Sequence, residues 1–185
     1  MKTKKSALVL TVLGKDRPGL IAAVTGALFK EGCNLEDISM TVLEGELAMM
    51  MVVCLKGRAK IRLKDAFRKL QRQWGLDFFW KEMKGELLQG LGRKKKSRTF
   101  LISAIGRDRT GIVFKVSRIL AGFGINITDL NSRILGKGPK TLYAMVLEAA
   151  VPDSFKVARL ENALKQLARA LQIEITLRPF ERIEF

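Results

Sequence analysis

Asp16 and Asp108 stand at the same place in two copies of one short stretch. The first reads Gly14-Lys15-Asp16-Arg17-Pro18-Gly19-Leu20; the second, 92 residues later, reads Gly106-Arg107-Asp108-Arg109-Thr110-Gly111-Ile112. In each copy an Asn follows the Asp by 18 residues, giving Asn34 and Asn126. The chemistry these residue types offer is non-covalent. A helix opening here presents unpaired N–H groups and a positive dipole end, which suit an anionic group. Gly19 and Gly111 lack a Cβ, so a ligand or a neighbouring backbone can come close. Asn34 and Asn126 each carry a donor and an acceptor.

Each residue also has a purely structural reading. Asp16 and Asp108 either contact a ligand or cap the following helix. The glycines either admit a ligand or only permit tight packing. The asparagines either bind or form a turn after Gly32 and Gly124. Arg17 and Arg109 either reach a site or stay solvated and ion-paired at the surface.

An apolar, strand-like run leads into each corner and an apolar, helix-like run leads out. Ala7–Leu13 is rich in β-formers and reads as a buried strand. Asp16 is the expected N-cap of a helix running to about Glu31, with Pro18 in its first turn and Gly32 closing it. Residues 35–43 alternate, with Ile38, Met40 and Val42 on one face, which predicts a strand buried on one side. Residues 44–46 turn the chain into a third strand, 47–55. A second amphipathic helix follows over 58–74, with Ile61, Leu63, Phe67, Leu70 and Trp74 inward. A short fourth strand covers 76–80. Met49, Met50 and Met51 read as strand and core filling.

Residues 83–97 break the pattern with Gly85, Gly90, Gly92 and a basic run, and read as a linker. From residue 98 the plan repeats: strand 99–105, corner, helix, strand 127–135, turn, strand 141–149, helix 154–171, strand 173–177. Residues 179–185 alternate and could add an edge strand. A right-handed βαβ crossover combined with a hairpin closes simplest as a four-stranded antiparallel sheet with both helices on one face. The predicted fold is therefore α+β: two ferredoxin-like βαββαβ domains, 1–82 and 98–185, joined by a linker over 83–97.

These residues resemble tandem ACT domains over about 5–82 and 98–178. The resemblance rests on the βαββαβ order, on Asp-Arg-Pro-Gly-Leu after the first strand, and on Gly-Cys-Asn-Leu and Gly-Ile-Asn-Ile opening the second strand of each half. Thr110 departs from the pattern by replacing the Pro of the second corner. Two ACT domains without an attached enzyme resemble the glycine cleavage system repressor group of bacterial regulators. The resemblance implies a non-enzymatic protein that binds a free amino acid, glycine or serine among them, at interfaces between ACT domains. It further implies a homodimer and a protein partner such as a transcription regulator. The ligand contacts it implies are Asp16, Arg17, Pro18, Gly19, Leu20, Asn34 and Leu35 in the first half. In the second they are Asp108, Arg109, Thr110, Gly111, Ile112, Asn126 and Ile127.

Composition limits the alternatives. There is no His, and Cys33 and Cys54 are the only cysteines. A Cys/His zinc site and any His-dependent acid–base mechanism are thereby excluded. No cofactor or metal is expected, and the two thiols are expected to be reduced core residues. The net charge is +16, with 21 Lys/Arg against 10 Asp/Glu in residues 1–98. Such an excess favours an anionic partner. Arg93, Lys94, Lys95, Lys96 and Arg98 form either an anion- or nucleic-acid-contacting stretch or a solvated linker, so direct nucleic-acid binding is the alternative function. The apolar run after Lys2, Lys4 and Lys5 is too short for a signal peptide and recurs mid-chain, so a cytoplasmic location is expected.

Overall fold

A computed structural model describes residues 6–55, 59–83, 97–136, 138 and 141–181. The described residues form two compact units, each with the order βαββαβ. The first unit comprises β1 (Ser6–Lys15), α1 (Leu20–Lys30), β2 (Asn34–Leu43), β3 (Glu46–Leu55), α2 (Ala59–Trp74) and β4 (Asp77–Met83). The second comprises β5 (Ser97–Arg107), α3 (Ile112–Gly122), β6 (Asn126–Leu135), β7 (Leu142–Pro152), α4 (Val157–Leu171) and β8 (Glu174–Pro179). Each sheet is antiparallel, in the orders β2-β3-β1-β4 and β6-β7-β5-β8. The ends of the expected linker belong to strands, because Met83 closes β4 and Ser97 opens β5. The rest of that stretch, 84–96, lies outside the described residues, as do 182–185 of the expected tail strand. Phe180 does extend the β5–β8 pairing by donating its N–H to the Thr99 carbonyl.

Alternation explains why one face of each sheet is buried. Leu8, Leu10 and Val12 of β1 and Leu47, Met49, Met51 and Val53 of β3 point to one side. Leu20, Val24 and Leu28 of α1 and Leu63, Phe67 and Leu70 of α2 close over them, so both helices cover that same face. The second unit repeats this with Phe100, Ile102, Met145, Leu147, Ile112, Val116, Leu120, Leu160 and Leu164. Met50, expected as filling, points outward and is 55% exposed.

Two expected burials do not occur. β2 is an edge strand, and Ile38, Met40 and Val42 stay 41–45% exposed, since the helices do not reach over it. Ile61 is 66% exposed: it sits at the start of α2, outside the stripe formed by Leu63, Phe67 and Leu70. The hairpin between β2 and β3 turns on Glu44 (φ 51) and Gly45 (φ 81), the two positive φ values of a type I′ turn. β2 and β6 each carry a bulge at the same place, after Leu35 and after Ile127.

Candidate functional site

The corner begins where β1 ends. At Gly14 a Cβ would stand 2.5 Å from Leu76 Cδ2, so glycine lets Leu76, the residue before β4, pack against the strand. Asp16 then donates its N–H to the Gly45 carbonyl at 2.8 Å, tying the corner to the tip of the β2–β3 hairpin. Leu20 N–H reaches back to the Arg17 carbonyl at 3.3 Å and closes the turn. The N-cap of α1 is Gly19, at φ 89 and ψ −11, and no side chain caps the helix. Asp16 is therefore not the N-cap that the sequence suggested. The chain needs a left-handed residue to swing into the helix, and that residue takes the cap position. The second corner does the same with Gly111, at φ 90 and ψ 11.

This geometry leaves a helix end open. The first helical bond runs from Ala23 N–H to the Gly19 carbonyl at 2.9 Å. The N–H groups of Ile21 and Ala22 lie ahead of it and have no acceptor within the helix. In front of them is an open hollow of about 620 Å³ lined by residues 16–22 and Thr25. Asp16, Arg17, Pro18 and Gly19 thus come together at one concave surface. Leu20 and Ile112 are only 1–2% exposed; their side chains belong to the cores, and only their backbone borders the corners.

The arginines fold back on the second helix of each unit. Arg17 lies over the Trp74 ring at 4.6 Å and donates to the Gln73 carbonyl at 3.4 Å. Arg109 donates to Gln172 Oε1 at 3.1 Å. Both cations stand at a helix C-terminus, where the dipole favours them. Trp74 lies against Arg17 and Gly19 of the first corner, a neighbour that the sequence reading did not foresee. Its position in the last turn of α2, on the inward stripe, was the available signal. Its Cη2 atom would lie 3.2 Å from a Cβ at Gly19, whereas nothing lies within 4 Å of one at Gly111.

Asn34 and Asn126 do not join the corners of their own units. Asn34 pairs opposite Cys54, which pairs with Ala7, while Lys15 at the corner is at the other end of β1. Eight residues of strand separate those levels, about 26 Å. Asn126 is likewise level with Thr99 through Ala150, far from Arg107. Asn34 is exposed and donates from Nδ2 to Glu36 Oε1 at 2.9 Å. Leu35 beside it is 37% exposed, and Ile127 packs against the second core. The turn before each Asn is made by the glycine: Gly32 and Gly124 have φ 66 and 67, and Cys33 and Ile125 N–H bond the carbonyls of Leu28 and Leu120. This is a Schellman ending in both copies.

Cys33 and Cys54 are both half-buried thiols. Burial, with Glu31 beside it, pushes the Cys33 thiol above its ordinary pKa, against the opposing pull of Arg62. Arg62 is itself ion-paired to Glu31, linking the end of α1 to α2. Asp108 and Thr110 are exposed at the second corner. Of the basic stretch, Arg98 donates to the carbonyls of Asp153 and Phe155, both at 3.4 Å, and lies over the Phe100 ring at 5.7 Å. Residues 93–96 lie outside the described residues. Among the described residues no three His, Cys, Asp or Glu side chains converge on a metal-sized site, and no helix is long and apolar enough to cross a membrane.

Known proteins place this geometry. The chain is 39% identical over 72 residues to a UPF0237 protein of Methanopyrus kandleri, covering 37% of this chain and 79% of that protein. It is 27% identical over 90 residues to a UPF0237 protein of Methanosarcina mazei, covering 48% and 94%. An unknown protein from Galdieria sulphuraria has the same fold along its length, with a TM-score of 0.76, 24% identity, and coverage of 96% of this chain and 100% of that one. So does a protein assigned as a glycine cleavage system transcriptional repressor, with a TM-score of 0.73, 20% identity, and coverage of 96% and 99%. The ACT domain family matches residues 6–81 and again 98–178, the two units described above, and the chain belongs to that family as a tandem pair.

Proposed function

We propose that this protein is a non-enzymatic sensor of a free amino acid that acts by changing its contact with a partner protein. The observation that carries this reading is the open helix end at the first corner. There the N–H groups of Ile21 and Ala22 face a hollow beside Asp16, a combination suited to a carboxylate and an ammonium on one carbon. ACT domains are regulatory modules, and the similar structure assigned as a glycine cleavage system transcriptional repressor makes glycine and serine the first ligands to test. The same similarity makes a transcription regulator the partner of choice.

The separation of Asp16 from Asn34 adds a requirement. One small molecule cannot touch both within a unit, so a ligand that uses both needs a second copy of the chain. The exposed edge of β2, with Ile38, Met40 and Val42, is the surface such a copy would cover. Ligand binding would then shift the balance between two arrangements of the dimer.

Thermal unfolding against all twenty amino acids, at two salt concentrations, tests the reading. A ligand at 100 times its Kd stabilises by about 2.7 kcal/mol. One amino acid or a small group should raise the midpoint, and Asn34→Ala or Asn126→Ala should abolish the shift. Sedimentation at rising concentration should show a dimer. No shift with any amino acid at millimolar concentration would sink the proposal.

A further inference from the structure

A second concavity lies on the first unit, between α2 and β4, away from the corner. It measures about 280 Å³ and is lined by Lys64, Phe67, Arg68, Gln71, Phe78 and Trp80. Its floor is aromatic. Phe67 and Phe78 stack with centroids 4.6 Å apart and planes 8° from parallel, and Trp80 tilts against Phe67 at 6.0 Å. Trp80 remains 39% exposed, so part of the indole is open to the cleft. The wall is cationic. Lys64 and Arg68 are one helical turn apart and therefore flank the same opening, and Gln71 continues their face with a donor and an acceptor. Acidic groups on these elements are few. Asp65 pairs with Arg68 at 3.3 Å, but both side chains are about 70% exposed, where such a pair is weak. Glu82 is two residues beyond Trp80, and Asp77 alternates to the opposite face of β4.

The second unit serves as an internal control. At the matching positions it has Glu161 for Lys64, Leu164 for Phe67, Ile175 for Phe78 and Leu177 for Trp80. Leu164, Ile175 and Leu177 pack in or against the second core, and Glu161 is exposed. The fold therefore does not require three aromatic rings and a lysine here.

We propose that this cleft binds a nucleobase together with its phosphate, the base against Trp80 and the phosphate between Lys64 and Arg68. A flat π surface beside two cations is the combination that holds a base without reading its sequence. The net charge of +16 draws such an anion in. The ligand is either a free nucleotide or a residue of a single strand, which share this chemistry. The site does not depend on the amino-acid reading of the corner.

The experiment uses the 15N-labelled full chain, whose two tryptophans, Trp74 and Trp80, give separate indole N–H signals. It is titrated with AMP, with a ten-nucleotide oligothymidylate, with inorganic phosphate and with polyglutamate. The Trp80 signal should move saturably with AMP or the oligonucleotide while the Trp74 signal stays in place. Trp80→Leu and Lys64→Glu, each installing the residue type found in the second unit, should weaken calorimetric binding on the order of tenfold. An unmoved Trp74 signal in both variants reports an intact fold. Equal affinity for AMP and the oligonucleotide identifies a free nucleotide as the occupant. Affinity that grows with strand length and falls steeply with salt identifies a single strand. The proposal is overturned if Trp80 responds to neither, if phosphate or polyglutamate moves it equally, or if both variants bind like the wild type.

Discussion

Replacing the two corner glycines should have unequal effects, and the difference is calculable from the structure. Gly19 and Gly111 have nearly the same backbone, φ 89 and φ 90. An alanine in a left-handed conformation costs about 1–2 kcal/mol, of which about 0.4–1 is offset because the unfolded chain also loses freedom. Gly111→Ala should therefore lose on the order of 1 kcal/mol, since nothing lies within 4 Å of its new Cβ. Gly19→Ala meets the same strain and places a methyl group 3.2 Å from the Trp74 ring. Overpacking adds about 1–3 kcal/mol, and a contact short by only a few tenths of an ångström takes the low end of that range, for a total of about 2. Both tryptophans are in the first unit, so their fluorescence follows that unit alone during urea unfolding. With a slope of about 1 kcal/mol per molar urea, Gly19→Ala should lower the midpoint by about 2 M. The ring signals of Tyr143, the single tyrosine, follow the second unit and should move about half as far in Gly111→Ala. Trp74→Leu copies Leu171 of the second unit and removes the obstacle. On that background Gly19→Ala should cost no more than Gly111→Ala, a coupling of about 1 kcal/mol. Equal penalties at the two glycines, or a Gly19 penalty that Trp74→Leu leaves unchanged, would refute the reasoning.

Other substitutions test other parts of the structure. Gly106→Ala should destabilise more than Gly14→Ala in thermal melts. The new Cβ at 106 meets Ile173 Cβ and Cα at 2.6 and 3.0 Å, while that at 14 meets chiefly the end of the Leu76 side chain; the reverse order would contradict the packing. Ile61→Lys should leave the thermal midpoint of the dilute protein within the range of about ±0.5 kcal/mol typical of surface changes, and a large loss would return Ile61 to the core. Cys33 should react with iodoacetamide more slowly at pH 8.5 in the native protein than in the urea-unfolded chain, because folding raises its pKa, and peptide mapping separates it from Cys54. The same shift leaves stability unchanged below the ordinary thiol pKa and lowers it as the pH rises further. A native-state rate equal to that of the urea-unfolded chain would exclude the shift.

Much of this architecture was readable in the sequence because the signals were local and occurred twice. The apolar run Ala7–Leu13 and the helical spacing of Leu63, Phe67 and Leu70 pointed to the first core without any long-range information. What escaped depended on distant parts of the chain. Alternation in β2 correctly put Ile38, Met40 and Val42 on one side, but whether a helix covers that side depends on strand order. Asp16 has the chemistry of a cap, yet the bend that Gly19 makes moves the helix start three residues beyond the expected position. The equal Asp-to-Asn spacing suggested one site, while strand register sets the two residues at opposite ends of a sheet. Trp74 came under Gly19 only once α2 was docked, and the open face of Trp80 showed only when β4 became an edge.

The turns that bracket the first helix of each unit carry a consequence for how such a chain can be altered. Gly19 and Gly32 enclose α1 with φ values of 89 and 66, and Gly111 and Gly124 enclose α3 with 90 and 67. The enclosed segments have equal length, so the two helices are interchangeable parts with matching joints. Segment 14–34 could be exchanged for 106–126 without insertion or deletion, moving one corner's side chains onto the other's sheet. The tandem chain thereby contains its own parts kit for separating what a corner's residues do from what their position does.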